Sequence, residues 1–194
     1  MNAAARGLRG LPQQVRIIGG NLKRSTLPVL DRPGLRPTPQ RVRETLFNWL
    51  GQDLTGWACL DAFAGTGALG FEAASRGAAP VVLLESEPAL VTSLRASQVR
   101  LNASAVTIER AEAVSWMRAA AKGVFQLVLL DPPFADPALL ERALEAAAHL
   151  VANDGYIYVE SADPSTPDPV GFVPWRRGRA GAVCFHLLRR NSKG

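Results

Sequence analysis

The sequence predicts an α/β fold: a mostly parallel central sheet with helices on both faces, an antiparallel last strand and an N-terminal β-hairpin extension. Three observations carry this. From Trp57 onward, short apolar β-like runs alternate with segments of helical spacing. Runs such as residues 124–130 are apolar at nearly every position, which suits strands buried on both faces. After Glu160 the alternation stops, and residues 182–188 read as a final strand with no helix before it.

In order along the chain, Val15-Arg16-Ile17-Ile18, a Gly19-Gly20 turn signal and a second β-like piece over 25–29 predict a hairpin carrying Arg16, Lys23 and Arg24. Thr38 then stands at a helix N-cap position, with Pro39 as the first helical residue. That helix runs to about Leu50. Val42, Thr45, Leu46, Trp49 and Leu50 make its apolar face, leaving Arg41, Arg43, Glu44 and Asn48 on another side. Strands follow over 57–61, 80–84, 106–109, 125–130 and 156–160. Helices lie between them over 69–76, 88–101, 113–121 and 137–150. Pro164, Pro167, Pro169 and Pro174 mark a loop-rich connection to the last strand. Residues 1–35 read as a basic hairpin extension and 36–194 as the main domain, and 194 residues that are 47% hydrophobic suffice for one sizeable core.

The net charge of +5 conceals an asymmetry. Residues 1–50 hold nine Lys/Arg against two Asp/Glu, residues 51–175 hold seven against fifteen, and the last nineteen residues add six basic groups and no acidic one. An acidic body bracketed by basic ends points to a polyanionic partner held at the termini. Cys59 and Cys184 lie far apart in apolar runs, and only His149 and His186 are present. The sequence therefore predicts no metal site and no disulfide framework, with buried reduced thiols in a cytoplasmic setting. Residues 1–10 lack the apolar core of a signal peptide and no run reaches membrane-spanning length, so no membrane association is expected.

The chemistry concentrates at strand ends. Asp61-Ala62-Phe63-Ala64-Gly65-Thr66-Gly67-Ala68-Leu69-Gly70 places Gly-x-Gly-x-x-Gly between a strand and a helix, a turn that lets a nucleoside approach the backbone. Asp61 ends its strand four residues before Gly65. There it would repel a pyrophosphate yet suit the ammonium of a methionine moiety. Glu85 closes the next strand, where a carboxylate can accept both ribose hydroxyls. Glu112, with Ala113 beside it, stands where a polar side chain can meet an adenine amino group or cap a helix. Asp131-Pro132-Pro133-Phe134 follows the most apolar strand. Asp-Pro-Pro-aromatic loops serve enzymes that methylate an exocyclic or amide nitrogen. The lone pair of such a nitrogen is delocalised. Two fixed acceptors, the Asp131 carboxylate and the Pro132 carbonyl, would localise it by taking both N–H bonds. The prolines stiffen the loop, and Phe134 offers a face for a base. A strand ending in a plain Pro-Pro turn is the structural alternative.

With Arg36-Pro37-Thr38, Arg41-Val42-Arg43-Glu44-Thr45-Leu46-Phe47-Asn48, Asp61-x-Phe63-x-Gly65-x-Gly67 and Asp131-Pro132-Pro133-Phe134 in this order, the chain resembles the RsmD-like small-subunit rRNA guanine-N2 methyltransferases of bacteria, from about Val15 to Leu188. The resemblance implies a Rossmann-like class I methyltransferase fold and S-adenosylmethionine as cofactor. It also implies methylation of one guanine N2 in 16S rRNA, within the small ribosomal subunit or its assembly intermediate. Pro39-Gln40 departs from the pattern, where an acidic residue often precedes the Arg-Val-Arg run, and so does Glu112, where Asp is commoner. On this reading Asp131, Pro132, Pro133 and Phe134 form the catalytic loop. Thr38, Asp61, Phe63, Gly65, Gly67, Gly70, Glu85, Glu112 and Ala113 hold the cofactor, with Phe47 joining Thr38 at its methionine end. Arg16, Lys23, Arg24, Arg36, Arg41 and Arg43 contact RNA, and the enzyme acts as a monomer. The competing readings are a DNA or protein-glutamine amino-group methyltransferase, a non-catalytic RNA-binding assembly factor, and a nicotinamide-dependent oxidoreductase.

Overall fold

In the computed structural model, described over residues 13–32, 35–134, 136–165 and 169–191, alternating side chains on the strands feed two separate cores. Residues 1–12, which the sequence assigns to the basic extension, and Pro167 lie outside this range. The hairpin strands are β1 (Gln14–Arg16) and β2 (Thr26–Pro28), followed by α1 (Gln40–Leu50). The main sheet is built from β3 (Cys59–Asp61), β4 (Val81–Glu85), β5 (Val106–Arg110), β6 (Phe125–Leu130), β7 (Val151–Ser161), β8 (Phe172–Ala180) and β9 (Val183–Arg190). Four helices connect its parallel strands: α2 (Ala68–Ser75), α3 (Pro88–Arg100), α4 (Ala113–Ala119) and α5 (Pro137–Leu150).

The sheet order is β5-β4-β3-β6-β7-β9-β8. β3 through β7 pair in parallel, while β9 is antiparallel to both β7 and β8. Cys59, Leu83, Leu127 and Leu129 face a core shared with α1, α2, α3 and the hairpin residues Ile17 and Leu27. Leu60, Leu84, Val128 and Leu130 face the other core, closed by α4 and α5. This is the two-sided burial that the apolar strands predict.

The chain passes from β3 outward to β4 and β5, then crosses back to β6 on the other side of β3. The topological switch therefore lies between β3 and β6, and the crevice beyond their C-terminal ends is where an open parallel sheet binds its ligand.

Three details differ from the sequence reading. β8 occupies a stretch expected to be loop. It is the edge strand, and its register shifts between Pro174 and Arg176, so the proline sits where no ladder N–H is needed. α1 begins at Gln40, with Pro39 at the cap position and no side-chain cap, because the Thr38 hydroxyl is directed elsewhere. The buried face of α1 comprises Val42, Arg43, Leu46, Phe47 and Leu50, so an arginine takes a position assigned to the polar side.

That arginine is explained by Glu72 of α2, which is fully buried. Its carboxylate accepts from the Ile18 and Gly19 backbone N–H groups at 2.9 and 2.8 Å. It pairs with Arg43 at 3.2 Å and with Arg76 at 2.8 Å. One carboxylate thus ties the hairpin, α1 and α2 together. Ser75 adds to this by accepting from the Leu22 N–H at 2.8 Å and donating to the Gly19 carbonyl at 2.5 Å.

Candidate active site

Four carboxylates close four parallel strands on the same edge: Asp61 on β3, Glu85 on β4, Asp131 just after β6 and Glu160 near the end of β7. Neighbouring strands lie about 4.8 Å apart, so these acids form a row across the switch point. Asp61 is buried, and its Oδ2 accepts from the Gly70 N–H at 2.9 Å. Burial pushes its pKa up to about 7; the Gly70 hydrogen bond opposes this, and the charges of Glu85 and Glu160 add to it.

Asp131 sits in the motif loop between buried Pro132 and the end of β6, while Pro133 and Phe134 are exposed. Its Oδ2 accepts from the Thr38 hydroxyl at 3.4 Å. Burial raises its pKa well above the ordinary range, and the charges of Glu160 and Asp61 raise it further. Glu160 is buried and accepts the Tyr158 hydroxyl hydrogen at 2.9 Å. Burial pushes its pKa up to about 7, against the Tyr158 hydrogen bond. Among the described residues, neither Asp131 nor Glu160 is in an ion pair with a lysine or arginine.

The glycine loop has the turn its sequence requires. Gly65 and Gly67 hold φ of 52° and 79°, in the left-handed region that L side chains rarely adopt. A Cβ on Gly67 would meet Phe71 and Leu94 at 2.7 Å. Gly70 differs: it is buried inside α2, and a Cβ there would meet Leu83 at 2.6 Å, so it acts by packing the helix on β4 and by holding Asp61. The Glu85 carboxylate spans this loop, accepting from the Gly65 N–H at 3.0 Å and from the Ser86 and Glu87 N–H groups at 2.8 and 2.9 Å. Half-buried Phe63 packs against the α4/α5 core, and Ala113 is buried as the first residue of α4.

Of the two roles open to Glu112, the structure shows the helix cap: it is the N-cap of α4, its two carboxylate oxygens accept from Val114 and Ser115 N–H groups at 3.0 and 2.8 Å, and the bonds to Ser115 hold its pKa down. Two other sequence expectations are corrected. Phe47 is fully buried under the Arg76 guanidinium, 4.6 Å from the ring centroid, and does not line the site. Arg43 is 2% exposed and committed to Glu72, so it is no RNA contact.

Lys23 and Arg24 are exposed, but their turn is anchored on Ser75. Ser75 ends α2, about 12 Å along that helix from the glycine loop, so the pair lies toward the rim opposite the motif. Arg16 is exposed on β1. Arg36 and Arg41 flank Thr38 and are exposed beside the carboxylate row.

Two features escaped the sequence reading. Glu160 and Tyr158 were visible only as strand residues, although an acid closing each of four consecutive parallel strands was a usable signal. Arg177 and Arg179 of β8 line a cleft with Arg41 and Trp49 of α1 and Phe185 of β9. Arg179 and Ala180 stand at the level of Cys184 and Val183, and Cys184 pairs with Ser161, so this cleft opens at the same edge as the motif.

Comparison with known proteins agrees with this geometry. The family model described as Conserved hypothetical protein 95 matches residues 15–189. The chain belongs to this family. It is 41% identical over 186 residues to Ribosomal RNA small subunit methyltransferase D of Escherichia coli strain K12, covering 93% of this chain and 92% of that protein. It is 42% identical over 185 residues to the protein of the same name from Haemophilus influenzae, covering 91% and 94%. The solved structure of the putative methyltransferase yhhF from Escherichia coli superposes with a TM-score of 0.81 at 40% identity, over 93% of this chain and 99% of that one. Family and relatives together make the chain a methyltransferase.

Proposed function

We propose that this chain transfers a methyl group from S-adenosylmethionine to the exocyclic N2 of a guanine in 16S rRNA, within the small ribosomal subunit or its assembly intermediate, and does so as a monomer in the cytoplasm. It is an S-adenosylmethionine-dependent rRNA methyltransferase, in keeping with relatives named ribosomal RNA small subunit methyltransferase D. The observation that carries the finer reading is Asp131-Pro132-Pro133-Phe134 standing at the switch point beside the glycine loop.

The residues fit the cofactor chemically. A row of carboxylates that form no ion pair among the described residues suits a ligand that carries a sulfonium and an ammonium. Asp61, Thr38 and the Gly65–Gly67 turn would hold the methionine end, and Glu85 the ribose. Three of the roughly four acceptor positions of Glu85 are filled by backbone N–H groups, so a ribose diol takes the place of the Gly65 bond. When bound, the cofactor supplies an electrophilic methyl group.

The chain's own residues prepare the nitrogen. Asp131 and the Pro132 carbonyl accept its two hydrogens and restore its lone pair, Phe134 stacks on the base, and Asp131 takes the departing proton. A loop guanine costs less to extrude than one in a duplex.

The test is labelled methyl transfer to small subunits from a strain lacking the gene, read by nucleoside mass spectrometry. N2-methylguanosine should form with wild type and fall at least about 100-fold with Asp131→Ala. Incorporation that survives Asp131→Ala, or none at all into subunits or naked rRNA, would refute the proposal.

A further inference from the structure

Beside the candidate active site lies a cleft of about 240 Å³ between α1 and the β8–β9 hairpin. One wall is a single row of α1, Arg41, Thr45 and Trp49, spaced four residues apart and so on one helix face. The other wall is Gly178, Ala180 and Phe185. Pockets for drug-sized ligands run to roughly 300–1,000 Å³, so this one suits a smaller fragment such as a single nucleobase. Phe185 is buried, and Gly178 lies flat against its ring, because a Cβ there would come within 2.3 Å of it. Trp49 packs on the same ring at 5.3 Å between centroids and 32° between planes, yet it stays only half-buried. The indole therefore keeps part of its surface for the cleft, which has an aromatic lining.

The charge around this lining has one sign. No acid lines the cleft, while Arg41 of α1 and Arg177 and Arg179 of β8 are exposed residues along it. Among the described residues none of these three is in an ion pair. β8 is the edge strand of the sheet, so no further strand covers its arginines. Uncompensated guanidiniums around an aromatic slot match a nucleotide, with phosphate for the cations and base for the rings. Position separates this slot from the site of methyl transfer. Arg41 is in the first turn of α1, just after Thr38, whose hydroxyl reaches Asp131 at 3.4 Å. Trp49 lies about 12 Å farther along the helix, too far for the base held on Asp131.

We infer that the cleft is a subsite for an unstacked nucleotide flanking the target base, its base against Trp49 and its phosphates on Arg41 and the β8 arginines. The inference deepens the proposed function and rests on RNA being the substrate. Stacking accepts any base, so the subsite selects a single-stranded context rather than a sequence, and it fixes the register in which the guanine meets Asp131.

The test compares binding of an unstructured oligoadenylate with binding of an oligomer of the same length built from abasic riboses, each titrated across salt concentrations. Wild type should prefer the oligoadenylate. Trp49→Leu should weaken the oligoadenylate about tenfold and leave the abasic oligomer unchanged, and Trp49→Phe should restore most of the loss. Arg41→Ala should weaken both oligomers and lower the salt slope by about one. Thr45→Phe fills the cleft while keeping the Trp49–Phe185 contact, so it should remove the preference for bases even if Trp49→Leu fails to fold, as melting temperatures would reveal. With small subunits, Trp49→Leu should raise KM for the subunit about tenfold and leave KM for S-adenosylmethionine unchanged. Equal binding of the two oligomers by wild type, or a base preference that survives Thr45→Phe, overturns the inference. Binding is read without methyl transfer, so a wild type that prefers bases but methylates no guanine would refute the proposed function and leave the subsite standing.

Discussion

Asp61 and Arg43 show how a single residue's setting decides its role. Asp61 is in no ion pair among the described residues and accepts from the Gly70 N–H, and its folded pKa of about 7 stands above the ordinary 3.8. A carboxyl raised in this way binds its proton more tightly in the native state, so its contribution to stability is full below about pH 4 and is lost as pH rises through about 7. A shift of about three pH units corresponds to roughly 4 kcal/mol. Asp61→Asn should therefore stabilise the ligand-free protein at pH 8 by about 2 kcal/mol or more, have little effect at pH 4, and weaken cofactor binding about tenfold or more. Denaturant melts at the two pH values and cofactor titration check both halves.

Arg43 carries the opposite lesson. Its sequence neighbours made it look like Arg41, but an arginine can occupy an apolar helix face only if a buried acid lies opposite, and Glu72 is 29 residues away. Arg43→Ala should cost about 3 kcal/mol in denaturant melts. The salt dependence of RNA binding should not change with it, whereas Arg41→Ala should lower that slope by about one.

At the scale of elements, the parallel strands and their helices were legible because strands such as β6 are almost wholly apolar and some helices end in a recognisable stop, as α1 does at Gly51 with φ 96°. β8 was not. Its sequence, Phe172-Val173-Pro174-Trp175-Arg176-Arg177-Gly178-Arg179-Ala180, reads as loop because an edge strand carries charge and a proline where a central strand cannot. The site was legible for the same reason the strands were: its acids and glycines sit at strand ends. Thr38 and Asp131 were not recognised as hydrogen-bond partners because 93 residues separate them and only the fold unites them.

The arginines of β8 guard the edge against pairing with another chain. Their position in the cleft with Arg41 predicts that they contact phosphate. Arg177→Ala combined with Arg179→Ala should lower the salt slope of RNA binding by about two. If the variant instead aggregates and its RNA affinity is unaltered at every salt concentration, edge protection is their whole function.

For the molecule as a whole, acids held above their usual pKa make the empty enzyme a compromise between stability and readiness. A cationic ligand relieves the mutual repulsion of the row, so the rise in melting temperature produced by S-adenosylmethionine should be larger at pH 8 than at pH 6. A thermal shift series across pH measures this, and an equal shift at both pH values would assign the cofactor's affinity to contacts other than the acidic row. Basic residues from early and late in the chain come together through the fold, with Arg41 of α1 and Arg177 and Arg179 of β8 lining one cleft.

That meeting of early and late segments bears on when activity can arise during synthesis. Thr38 reaches Asp131, and Trp49 lies 5.3 Å from Phe185. The segment that leaves the ribosome early docks on α2 through Glu72, but the rest of its docking surface is made only after β6 and β9 have been translated. A nascent chain can expose its glycine loop and its Asp-Pro-Pro-Phe motif long before the Trp49–Phe185 contact forms. The rRNA modifier is thus completed only after almost all of its own translation is finished.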